Sequence, residues 1–110
     1  SRPAVLAIQN ARSNGGLAIS DLSLFELAHL IVRGRIQITG SMEPFLHEIE
    51  ARFAVKHVTA RIAAVAVQLS EAYPRDPMDR LIGATSIAEG IPLVTADERI
   101  RSSGDVQTIW

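Results

Sequence analysis

The chain contains no cysteine, which excludes disulfide scaffolds, thiol catalysis and cysteine-ligated zinc. Charge of one sign is also lacking. The formal net charge is -1 and the pI is about 6.3. No overall basic field exists to hold nucleic acid, so such contact must come from a local patch. Aromatic residues make up only 5%, too few for a single-strand stacking platform. No apolar run approaches the roughly 20 residues of a membrane-spanning helix, no signal peptide is visible, and a cytoplasmic protein without membrane contact is expected. Neither G-x-G-x-x-G nor a P-loop occurs, and Asn14-Gly15-Gly16 precedes a strand where a nucleotide-binding loop follows one. What is present is 110 residues, 47% of them apolar and 21% charged. That suits one globular domain spanning residues 1–110.

Periodicity predicts helices over 4–12, 22–33, 42–53, 60–72 and 78–89, with a helical turn over 97–103. In the third, Met42, Phe45, Leu46, Ile49 and Phe53 share one side, as a 3.6-residue repeat requires. Short apolar runs at 17–19, 55–59, 91–96 and 106–110 predict strands, the third the strongest, and Ile36–Thr39 reads as an extended arm. Trp110 is expected to close the core. Helices alternating with short strands imply βαβ units, a mostly parallel sheet and right-handed crossovers. Ligands in such sheets bind beyond the carboxyl ends of the strands.

Three acids stand near that edge. Glu26 lies in the helix after the first strand, on one stripe with His29 and Arg33; an exposed helix carboxylate is the plain alternative. Asp76-Pro77-Met78-Asp79 reads as an N-cap, an N1 proline and an N3 acid, which explains Asp76 better than Asp79. Asp97 follows the strand Leu93-Val94-Thr95-Ala96 and also reads as an N-cap. Converging carboxylates repel unless a cation lies among them, and oxygen-only donors suit Mg²⁺ or Mn²⁺. Such a centre fits phosphodiester hydrolysis. Asp76 is an auxiliary ligand candidate, and Thr95 a hydrogen-bonding partner within the cluster. Arg80 reads either as a phosphate contact or as the ion-pair partner of a nearby acid.

Ser23-Leu24-Phe25-Glu26-Leu27-Ala28, Asp76-Pro77-Met78-Asp79-Arg80-Leu81-Ile82-Gly83-Ala84-Thr85 and Pro92-Leu93-Val94-Thr95-Ala96-Asp97 together resemble the PIN domain family, in particular the VapC-like toxins of bacterial toxin–antitoxin pairs. The resemblance runs from about Ala18 to Trp110. It implies a three-layer α/β/α sandwich and a metal-dependent ribonuclease that takes RNA as substrate and an antitoxin as partner. It also implies that Glu26, Asp79 and Asp97 form the acidic cluster. The family carries one more acid, at the end of a first, central strand, in a motif resembling Leu-Asp-Thr. No acid precedes Ala18 here, and the chain opens on Ser1. The expectation is a domain without its first strand and first helix, truncated upstream. Open sheet edges then favour a homodimer, with exchange of an element between chains as one route. A catalytically silent interaction module is the alternative, with helices 22–33 and 42–53 as its candidate surfaces.

Overall fold

The computed structural model describes residues 1–110 and is α/β, as expected, with six helices and four short parallel strands. In chain order these are α1 (Arg2–Ser13), β1 (Ala18–Ser20), α2 (Asp21–Val32), α3 (Met42–Arg52), β2 (Ala54–Lys56), α4 (Ala60–Gln68), α5 (Pro77–Glu89), β3 (Leu93–Val94), α6 (Glu98–Ser103) and β4 (Thr108–Ile109). Local chemistry explains most boundaries. Pro sits in the first turn of α1 and of α5, where its missing N–H is no loss. Ser20, Thr59, Asp76 and Asp97 cap α2, α4, α5 and α6 with their side-chain oxygens, which satisfies amides that have no partner inside the helix. Gly90 ends α5 at φ 67°, a left-handed conformation that glycine adopts without strain.

The strands form two separate pairs. β1 lies parallel to β2, with Ile19 opposite Val55, and β3 lies parallel to β4, with Val94 opposite Ile109. No ladder joins the pairs. The core is divided as well. Ile62, Ala66 and Ala84 join α4 to α5, and Tyr73, Ile100 and Val106 form a second cluster under α6.

Four expectations need correction. The fourth helix ends at Gln68 and not at Ala72, because Asp105 holds both the amide of Ser70 at 2.7 Å and its hydroxyl at 2.6 Å. The strand expected over 91–96 pairs only at Leu93 and Val94, since β4 offers a partner of just two residues. Ile36–Thr39 joins no strand. Trp110 is 42% exposed, because it lies past the last strand.

Candidate functional site

A cavity of about 830 Å³ lies between the two strand pairs, and β1, β3, α1 and α5 contribute to its walls. Its lining is mostly apolar, with Ala7, Ile8 and Ile19 among its residues. Glu26, Asp79 and Asp97 all line it. The helix cap after β1 starts α2 and so delivers Glu26. The Asp76 cap starts α5 and delivers Asp79 three residues later. The end of β3 leads through Thr95 to Asp97.

The electrostatics join the three. Burial, then the negative charges of Asp79 and Asp76, raise the Glu26 carboxyl above its ordinary value. Burial, then Asp76 and Asp97, raise Asp79, and the Arg99 guanidinium opposes them. Asp97 differs. Desolvation pushes it up, but the Ile100 and Arg99 amides and the Arg99 guanidinium outweigh that and hold it low. Its Oδ1 accepts from Arg99 N at 2.9 Å and from Ile100 N at 3.3 Å. The N-cap reading of Asp97 therefore holds together with its place in the cavity.

Asp76 is exposed and its Oδ1 accepts from the amides of Met78 at 2.8 Å and Asp79 at 3.2 Å. It caps α5 and adds negative charge beside Asp79. Thr95 Oγ1 accepts from the Asp97 amide at 3.1 Å, so it steadies the backbone that bears the acid. Arg80 forms no ion pair with a nearby acid. Its guanidinium donates to the carbonyls of Ala66 at 3.1 Å, Leu69 at 3.2 Å and Ser70 at 3.2 Å, at the end of α4, where a cation meets the negative pole of the helix. Another acid near β1, Asp21, faces the Val58 amide at 3.4 Å and His57 at 3.5 Å, outside the cavity lining.

The donor set suits a hard divalent cation. It is all oxygen, and two of its carboxyls, Glu26 and Asp79, are raised partly by the charge of neighbouring aspartates, a repulsion that a bound cation reverses. In this structure no three acidic or histidine side chains stand close enough to hold one ion, so closure round a metal requires the side chains to move inward.

The profile of the PIN domain matches residues 1–105. This chain belongs to the PIN domain family. The match takes in α1, ahead of Ala18, where the resemblance read from the sequence began. Over 96 residues the chain is 40% identical to Ribonuclease VapC22 of Mycobacterium tuberculosis, a span of 86% of this chain and 74% of that protein. The fold resembles that in the crystal structure of VapBC2 from Rickettsia felis bound to a DNA fragment from their promoter. The TM-score is 0.71 at 18% identity, over 98% of this chain and 84% of the other.

Two further residues near the acids carried no signal in the sequence. Lys56, at the end of β2, lines the cavity and stands 3.9 Å from Glu89; its position one residue before His57 carried no motif. Tyr73, in the loop before α5, is 1% exposed, and its hydroxyl donates to the carbonyl oxygen of Asp79 at 2.7 Å. A tyrosine between Ala72 and Pro74 looks like any loop residue until the fold buries it.

Proposed function

We propose that this PIN domain is a metal-dependent endoribonuclease of the toxin–antitoxin type, with Glu26, Asp79 and Asp97 as its catalytic, metal-holding acids. The single observation that carries this reading is that three carboxylates from three separate segments line one cavity, where the charge of Asp79 raises Glu26 and that of Asp97 raises Asp79, in a chain 40% identical to a protein named a ribonuclease. PIN-family ribonucleases generally depend on a divalent metal, and an all-oxygen donor set favours Mg²⁺ or Mn²⁺. Such an ion, when bound, supplies Lewis acidity toward a phosphoryl oxygen and lowers the pKa of water beside it.

The chain's own residues do the rest. Asp76 and Thr95 hold the backbones that bear Asp79 and Asp97, so for two of the three acids only the side chains have to move to meet a cation. The Arg99 guanidinium, 3.5 Å from Asp97 Oδ2, offsets negative charge at the rim and is placed to meet an RNA phosphate. An antitoxin protein is the partner of this reading, and a homodimer its assembly. A silent interaction module is the weaker reading, since grouped acids that repel one another cost stability that such a module has no need to bear.

The test is RNA cleavage by this chain with Mn²⁺ and with EDTA, beside Asp97→Asn. Asparagine caps a helix about as well as aspartate, so the variant removes the charge and keeps α6. Cleavage is expected with Mn²⁺ alone, and the variant is expected to lose about 100-fold or more, as loss of a directly acting electrostatic group does. Equal cleavage in EDTA, or full activity in the variant, overturns the proposal.

A further inference from the structure

Tyr73 belongs to neither the cavity nor any helix, yet it touches the supports of two of the proposed acids. Its hydroxyl donates to the backbone carbonyl oxygen of Asp79 at 2.7 Å. Its ring packs with Ile100 and Val106, with Leu69 and Leu93 beside them. Ile100 is the residue of α6 whose amide Asp97 Oδ1 accepts, at 3.3 Å. The α5 helix is notched to admit the ring, because a Cβ on Gly83 would lie 2.7 Å from Tyr73 Cζ and closer still to the hydroxyl.

We propose that Tyr73 is a positioning residue for the acidic centre: its hydroxyl and ring hold the first turn of α5 against α6 and so set the separation of Asp79 from Asp97. The proposal rests on the reading of Glu26, Asp79 and Asp97 as the metal-holding acids. Glu26 arrives separately on α2, so Asp79 on α5 and Asp97 at the start of α6 are gauged against each other independently of it. Removing the hydroxyl alone frees the Asp79 carbonyl from its outside tether while the ring still fills the core.

The test is a calorimetric titration of the intact chain with Mn²⁺, paired with thermal unfolding without metal, for the parent, Tyr73→Phe, Val106→Ala, Asp79→Asn and Asp97→Asn. Tyr73→Phe is expected to weaken Mn²⁺ about tenfold, the lower end of what loss of an outer-shell partner causes. Val106→Ala thins the same cluster away from both acids. It is expected to lower the Tm at least as much as Tyr73→Phe while leaving the affinity within about twofold of the parent, well short of an outer-shell effect. Parental affinity in Tyr73→Phe, or an equal loss in Val106→Ala, overturns the role of Tyr73 and leaves the acids in place. Parental affinity in both aspartate variants, or no Mn²⁺ binding by the parent, overturns the reading of the acids and the positioning role with it.

Discussion

The three acids are not equivalent, and pH separates them. Glu26 and Asp79 have folded-state values raised above 4.5 and 3.8 respectively. Folding thus favours their protonated forms, and the stability they contribute is present below those ordinary values and lost as pH climbs through the raised ones. Asp97 has the opposite sign. It is held below 3.8, so its contribution is present above that value and disappears as pH falls through the lowered one. Urea midpoints of the metal-free chain, followed upward from pH 3.8, are therefore expected to decline as Glu26 and Asp79 ionise. Asp79→Asn is expected to flatten the decline and to raise the midpoint at neutral pH. Saturating Mn²⁺ is expected to reverse it, because ligation needs the ionised carboxylates and binding stabilises the folded state. A parent and an Asp79→Asn variant with the same slope would show that Asp79 feels no such crowding.

Element boundaries show where sequence patterns give way to tertiary contacts. The apolar faces of α3 and α5 were legible, because helical periodicity and the Asp76–Pro77 start are local signals. The end of α4 was not. Val67 through Ala72 has no helix breaker, yet the chain turns at Leu69 because Asp105, distant in sequence, binds Ser70 while Arg80 gathers three carbonyls. For the same reason the role of Arg80 at the end of α4 had no sequence signal: it read as a phosphate contact or an ion-pair partner, and in the fold it donates to three carbonyls. Of the residues near the cavity, Glu26, Asp79 and Asp97 stood out in the sequence because each follows a strand or opens a helix, whereas Tyr73 and Lys56 gain their places only from packing. Arg80→Lys tests the terminator role. A lysine head cannot span the three carbonyls as a planar guanidinium does, and unmet carbonyls at that helix end are expected to lower stability by about 1–2 kcal/mol in urea titration. RNA affinity is expected to stay at the parental level. A fall in RNA affinity at unchanged stability would return Arg80 to the phosphate role.

At the scale of the whole molecule the apolar core is small and divided. Only 12 of 110 residues are buried, and six of these form two small apolar clusters that share no member. The radius of gyration is 14.4 Å, above the roughly 13 Å of a close-packed chain of this length. The excess agrees with the cavity between β1 and β3. Each of those strands has a single partner, so each leaves an edge whose backbone groups find no ladder, an arrangement that favours pairing with another chain. Phe25 and Val32 on α2, 58% and 72% exposed, add apolar surface that association would cover. Self-association of the 11.9 kDa chain is accordingly expected in sedimentation equilibrium, with the apparent mass rising with concentration. Phe25→Ser should weaken the association if α2 forms the contact and leave it unchanged if the strand edges do. A single species at the monomer mass across the concentration range would mean that the divided sheet is stable without a partner. The acids would then face each other across a cavity that one chain holds open by itself.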